Sequence, residues 1–431
     1  MSLLKLHYRT NCCSTDVIQL NKNDEDNNLS RLIESYIRQL FEDREVSREM
    51  QERLFAYYYQ ELSKGVDVGY SPTFEMYDEA LAVSFKKNIA DFSAFKATSF
   101  KKQLESLLVQ DGKITPWSEF KKQADALHIE YNRRWLKTEY HQTVAVANMA
   151  QQWQQFEADA DLYPNLKYNA VNDGRTREAH KSWDGLVLPI KHPFWTKHLP
   201  PNDWGCRCTV TQTDEAVSKE IPDIKSKGAF SNNPAMSGAI FKENTYEKGL
   251  DNEGITESKE LISDFLASET NLINTKNPKV RISLGADLQD LRRNYQVADI
   301  CADKLNIDFL IRTHVEIKGV SNPEYLLFGE YLGDRKSIEG IDGILWNIDQ
   351  AKKQMLNKAI NPKQVPYYIV WDMDKIIHLN TDEIIRALQR KVNEERGRSI
   401  KGMIFQYKGR AVHLTREQIV KRDFANLKSL K

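Results

Sequence analysis

The sequence predicts a multidomain chain: a mainly α N-terminal half closed by a small β/loop knot, followed by an α/β (α+β) domain. Three observations predict this. Apolar residues recur at helical spacing from Leu29 onward. Turn-formers, aromatics, histidines and cysteines crowd together between Asn172 and Val210. From Asp287 short strand-like runs alternate with helix-like ones. At 431 residues the chain is too long for one ordinary domain. The expected divisions are an N-terminal arm over 1–28, a first domain over 29–215, a linker over 216–265 and a second domain over 266–431.

The arm is polar after its first residues and predicts partial disorder. Leu29, Leu32, Ile33, Tyr36, Ile37, Leu40 and Phe41 then alternate steps of three and one, the signature of an amphipathic helix. Met50, Leu54, Tyr57, Tyr58 and Leu62 mark a second helix ending near Gly65. Residues 74–110 predict one or two more, clearest from Ala80 to Phe92. Thr115 before Pro116 opens another, with Thr115 as the expected cap. A long helical signal runs from Ser118 to about Asp159, and Tyr163-Pro164 ends it. Lys167–Val171 and Thr209–Thr211 predict short strands entering and leaving the knot.

Inside the knot, Gly174, Gly185 and the prolines at 189, 193, 200 and 201 forbid a long helix. Trp183, Phe194, Trp195, Leu199 and Trp204 supply the apolar mass to hold it together. His180, His192, His198, Cys206 and Cys208 offer nitrogen and thiolate ligands for a structural zinc, with His180, His198, Cys206 and Cys208 the expected set. The other reading is a metal-free knot with buried cysteines and hydrogen-bonded histidines. Five cysteines, an odd count in a long chain, point to a reducing compartment rather than a disulfide framework; the adjacent, isolated pair Cys12-Cys13 reads as structural or incidental.

Formal net charge is zero, so any nucleic-acid binding must be local rather than a property of the whole field. No run of 18 apolar residues occurs, so no membrane span is expected, and the short polar N-terminus does not predict a signal peptide.

The order Asp173-x-Arg175-x-Arg177-x-x-His180, then Trp183-Asp184-Gly185, then Pro200-Pro201-x-x-Trp204-x-Cys206-Arg207-Cys208 resembles the phage Mu F-like head-morphogenesis family. The resemblance covers roughly Leu29 to Val210. It implies a minor head protein of the virion, inside or at the neck of the capsid, with the portal protein and capsid components as partners.

After a polar linker with a loop at 226–238, the second domain predicts a helix over Leu288–Leu305, strands over Phe309–Ile317, Tyr325–Phe328 and Tyr331–Lys336, and a helix from about Ile344 to Ile360. A buried strand at Tyr367–Trp371, a helix over Asp382–Asn393 capped by Thr381, and a hairpin over Gly402–Leu414 complete it. Glu324 and, ten residues on, Asp334 offer oxygen ligands to a divalent cation such as Mg²⁺. Lys336 lies two residues from Asp334 and so on the same strand face, where it can orient a nucleophile or offset charge. Asp299 could add a third carboxylate and Glu330 is a spare. Without a wider context the same residues describe a surface hairpin with ordinary charges. Lys352, Lys353, Lys358, Arg386, Arg390 and Lys391 make locally basic faces suited to a phosphodiester. His314, His378 and His413 keep open a metal-free ribonuclease with histidine as acid or base.

Asp299, Asn322-Pro323-Glu324, Gly329-Glu330, Asp334-Arg335-Lys336-Ser337 and Lys353-Gln354 together are similar to the C-terminal tRNA-nuclease domain of contact-dependent growth-inhibition toxins (the CdiA type). The resemblance covers about 285–380 and fits the PD-(D/E)xK layout, a mixed sheet flanked by helices. It implies a metal-dependent nuclease with Glu324, Asp334 and Lys336 catalytic, Asp299, Glu324 and Asp334 holding Mg²⁺ or Zn²⁺, Lys353 and Gln354 on the RNA, an immunity protein as partner and action in the bacterial host cytoplasm. It departs at Glu324, where aspartate is usual, and at Asp299, where glutamate is usual; both keep a carboxylate and change its reach. The combined expectation is a phage head protein carrying a toxin nuclease for tRNA, with a purely structural head protein as the rival.

Overall fold

The computed structural model describes residues 22–222, 228–314, 322–355, 366–393 and 398–430. The arm's residues 1–21, Cys12 and Cys13 among them, lie outside the described residues, as do Lys358 and the side chain of Gln354. The N-terminal half is helical and the C-terminal region is built on a mixed sheet, as the sequence predicts.

The helical half opens with α1 (Lys22–Asp43) and α2 (Arg48–Gly69), whose N-cap Ser47 accepts from the Met50 amide. Next comes α3 (Glu79–Leu108), capped by Asp78, a single helix of 30 residues where the sequence allowed two. No glycine or proline interrupts it. A short hairpin of β1 (Val109–Gln110) and β2 (Lys113–Ile114) leads to α4 (Trp117–His128). Thr115 does not cap α4: its hydroxyl donates 2.8 Å to the Leu107 carbonyl, and Pro116 takes the cap position. A π-helical stretch, Ile129–Trp135, carries α4 into α5 (Leu136–Ala158). Helix α2 approaches α5 so closely that a Cβ on Gly69 would stand 2.3 Å from the Val144 carbonyl.

The knot contains β3 (Asn165–Asn169), α6 (Glu178–Ser182), β4 (Val187–Pro189), α7 (Trp195–His198) and β5 (Thr209–Thr213). Its three strands form an antiparallel sheet in the order β4-β3-β5. Trp183, Trp195, Tyr168, Phe194 and Leu199 are buried in a core of its own, to which Trp153 and Phe156 of α5 contribute.

The segment expected as a linker packs onto α3. It includes α8 (Pro234–Ser237) and α9 (Asn252–Ala267). Phe241 stacks on Phe92 at 4.2 Å, and Asn88 and Phe241 exchange two hydrogen bonds. Lys101 and Lys102 of α3 pair with Glu257 and Glu253 of α9 at 2.8 and 2.7 Å. Such a segment is polar on one side only, which composition alone reads as loop.

The remaining elements are β6 (Leu272–Asn274), β7 (Val280–Ser283), α10 (Leu288–Leu305), β8 (Phe309–Ile311), β9 (Tyr325–Leu327), β10 (Tyr331–Ser337) and α11 (Asp342–Met355). They are followed by β11 (Tyr367–Asp372), α12 (Thr381–Lys391), β12 (Ile400–Tyr407), β13 (Arg410–Thr415), α13 (Arg416–Val420) and α14 (Ala425–Lys428). Asn380, not Thr381, caps α12 by accepting from the amides of Asp382 and Glu383. The strands form one eight-stranded sheet in the order β13-β12-β11-β10-β9-β8-β7-β6. β8-β9-β10 is an antiparallel meander; α11 then crosses over so that β11 runs parallel to β10.

Alternation along β11 divides two cores. Tyr368 and Val370 face α10 and join a core continuous with the helical half. Tyr367, Ile369 and Trp371 face α11 and α12 and join a separate core with Ile344, Ile348, Ile384 and Leu388. Among the described residues no helix is long and apolar enough to cross a membrane.

Candidate functional site

The knot's signature residues hold its loops to one another. Asp173 accepts two hydrogen bonds from the Arg207 guanidinium at 2.8 and 2.7 Å, and others from the Arg175 amide and the Thr176 hydroxyl. These donors, Arg207 foremost, hold its carboxyl down at about 2. Arg177 pairs with Asp203 at 2.8 Å and donates to the Trp204 carbonyl. Asp184 accepts from the Ala170 amide at 2.8 Å, closing the turn that Gly185 makes at φ +74. The Gly205 amide donates to Gln142 on α5.

These ties bring His180 of α6 against the approach to β5. His180 Nδ1 lies 3.6 Å from Cys206 Sγ and 3.8 Å from Cys208 Sγ. The three ligand atoms lie within 4.8 Å of one another, the one group of three or more His, Cys, Asp or Glu that does so among the described residues. The Cys206 thiol hydrogen-bonds Cys208 and, with His180 and Tyr168, lowers the Cys208 thiol; Cys206 is itself pushed up by Cys208 and by burial. His198, expected as a fourth ligand, is not in this group: its ring stacks on Phe194 at 4.4 Å and its Nδ1 lies 3.0 Å from the Phe194 carbonyl. His192 is also elsewhere, with Nδ1 accepting from the Phe194 amide.

Residues 97–211 match the family described as Phage Mu protein F like protein. This Mu F-like segment contains His180, Cys206, Cys208 and the ion-paired residues around them. The chain is 39% identical over 114 residues to "Putative capsid assembly protein F" of Escherichia phage Mu, covering 26% of this chain and 26% of that one. It is 40% identical over 91 residues to the Mu-like prophage FluMu F protein of Haemophilus influenzae, covering 21% and 19%. The chain thus spans about a quarter or less of the length of these curated relatives. No solved structure matches the chain.

Beyond the Mu F-like segment, the sheet assembles a second group. Tyr325 pairs with Gly333, so Glu324 and Asp334 face each other one step along the antiparallel pair. Glu324 Oε2 accepts from the Arg335 amide at 2.8 Å. Burial and the hydrogen-bonded Asp334 carboxylate push Glu324 well above the usual carboxyl range. Lys336 Nζ reaches Asp334 Oδ2 at 2.5 Å, and Asp334 is only 3% exposed. Asp299 lies apart. It is on α10, across the sheet, and accepts from Asn277 at 2.8 Å. Glu330 is exposed in the β9–β10 turn, and Lys353 is exposed on the last turn of α11.

Sequence reasoning missed the support behind this group. Arg335 turns to the α10 face, where it binds Asn294 and, at 3.1 Å, Asp372. Asp372, 1% exposed, also takes a two-pronged contact from Arg293, which reaches Asp374 at 2.9 Å. Burial would raise Asp372, but Arg293 and Arg335 hold it below its ordinary value. The available signal was Trp-Asp-Met-Asp at 371–374, two acids closing an apolar strand. Nearby, a broad cleft of about 1170 Å³ is lined by Glu339, Lys375, His378, Glu383, Arg386 and Arg390 among others.

Proposed function

We propose that the chain is a phage head-assembly protein whose C-terminal domain is a metal-dependent ribonuclease of PD-(D/E)xK type acting on tRNA. The head role is supported by the Mu F-like match and by the ion pairs its signature residues make. On this reading the chain resides in the virion, with the portal protein and other capsid components as partners. The nuclease role rests on one observation: Glu324, Asp334 and Lys336 converge on one face of β9 and β10. The α10-β8-β9-β10-α11-β11 order also suits that nuclease layout.

The residues fit a hard divalent cation. Glu324 and Asp334 supply two adjacent carboxylates, and the crowding of their charge that raises Glu324 is what a cation would relieve. Mg²⁺ or Zn²⁺ there would acidify a bound water and stabilise charge on the phosphate. Lys336 holds Asp334 in place and offers a positive charge beside the reacting group. Arg335, anchored through Asn294 and Asp372, fixes the strand that carries both. Arg386 and Arg390, in the lining of the cleft, would contact the RNA backbone, and an immunity protein in the host cytoplasm would block it.

The test is expression of the full chain in bacteria beside its Asp334→Ala/Lys336→Ala variant, with growth and total RNA followed. Arrest with tRNA fragments, lost in the variant, is expected. Arrest that persists in the variant would move the chemistry to the histidines. The distance of Asp299 from the pair favours a second reading, a head protein with an inactive nuclease-like domain. It predicts no arrest in either strain and no Mg²⁺ uptake that depends on Asp334.

A further inference from the structure

We propose that His180, Cys206 and Cys208 bind a zinc ion that fastens α6 to the start of β5. Three features carry this. First, the ligands come from segments 26 residues apart, brought together by a frame of ion pairs that does not itself include them. Second, the spacing is that of a coordination shell. Bond lengths of about 2.05 Å to nitrogen and about 2.3 Å to sulfur, at the tetrahedral angle, place nitrogen and sulfur about 3.6 Å apart. His180 Nδ1 stands 3.6 and 3.8 Å from the two sulfurs. A single imidazole N–H donates along one direction, so hydrogen bonding alone accounts for one of these approaches and not both.

Third, the Cys-Arg-Cys step divides labour. Cys206 and Cys208 both meet His180 while Arg207, between them, turns to Asp173. His180 and Cys208 are 5% and 7% exposed, which shields the centre from competing ligands. Two thiolates and an imidazole form a soft donor set that selects zinc over magnesium or calcium. Zinc binds cysteine as thiolate, so uptake would release acid.

The test uses the purified full-length chain. Metal analysis is expected to find about one zinc per chain that the Cys206→Ser/Cys208→Ser variant lacks, while Cys301→Ser, a buried cysteine elsewhere, keeps it. Because the serine variant could fail by misfolding, the wild-type chain is also loaded with Co²⁺. Thiolate-to-cobalt charge transfer in the near ultraviolet, with intense tetrahedral d–d bands, supports the site. An oxygen-only centre at Glu324 and Asp334 cannot produce thiolate bands, so the two sites are read separately. Wild-type chain that shows neither zinc nor these bands overturns the proposal, as does zinc retained undiminished by the double serine variant.

Discussion

At the scale of single residues, the informative spacings were those that obey strand geometry. Asp334 and Lys336 share a face because they are two apart, and Glu324 reaches them because a tight turn separates β9 from β10. Lys336→Ala is expected to lower RNA cleavage by about 100-fold, the usual scale for removing one preorganised charge from a reacting centre; cleavage of a tRNA substrate by the purified chain measures it. Asp299 was not placeable in this way. Its helix was legible, but which side of α10 meets the sheet depends on packing, and Asn294, Ala298 and Cys301 take that side. His198 failed for a similar reason, since an aromatic neighbour one turn back claims its ring. Asp173 carries a prediction about acid. Its folded carboxyl is depressed to about 2 against an unfolded value of about 4, so its contribution is present above about pH 4 and disappears as pH falls toward 2. Melting temperatures of wild type and Asp173→Asn should therefore differ at neutral pH and converge through that window.

At the scale of elements, periodicity located α10 to the residue and placed β9, β10 and β11 within one or two residues. β6 and β7 escaped because their few apolar residues stand among polar ones, whereas the equally short β9 lies in the apolar run Tyr325–Phe328. The π-helical stretch between α4 and α5 also left no trace in the pattern, since one inserted residue per turn looks like ordinary drift. Gly69 was equally silent, being one glycine near a helix end. Its role is close approach: a methyl there meets Val144's carbonyl at 2.3 Å and Ala147's Cβ at 2.8 Å, both on α5. Gly69→Ala is expected to destabilise the helical half by about 1–3 kcal/mol, the usual cost of overpacking, and urea unfolding followed by circular dichroism would measure it.

At the scale of the whole molecule, the sequence showed two unlike halves but not how they join. A polar, glycine- and asparagine-rich stretch reads as a spacer, yet here its few aromatics are the anchors. Tyr246 is the one with a polar tip. Its hydroxyl meets Lys96 at 2.9 Å and donates to Glu139, and Lys96, fully buried, lies over the rings of Tyr58, Tyr131 and Tyr246. Removing that hydroxyl leaves a buried ion pair short of a partner, at a cost of about 1–3 kcal/mol. Tyr246→Phe should therefore speed proteolytic cleavage within 228–250 while the knot stays intact, as peptide mapping would show.

The path of this arm along α3 has a mechanical meaning. Gly238, Phe241, Asn244, Tyr246 and Glu253 engage Ser84, Asn88, Asp91, Lys96 and Lys102 in turn, so the arm up to the start of α9 runs beside the helix in the same direction. The 18 residue steps from Ser84 to Lys102 span about 27 Å at about 1.5 Å each. Tension drawing the C-terminal domain away along that axis loads the whole row in shear, so the contacts share the force and yield together. Tension across the axis peels them singly, and far less force opens the joint. The direction of a pull, more than its size, decides whether the two halves part.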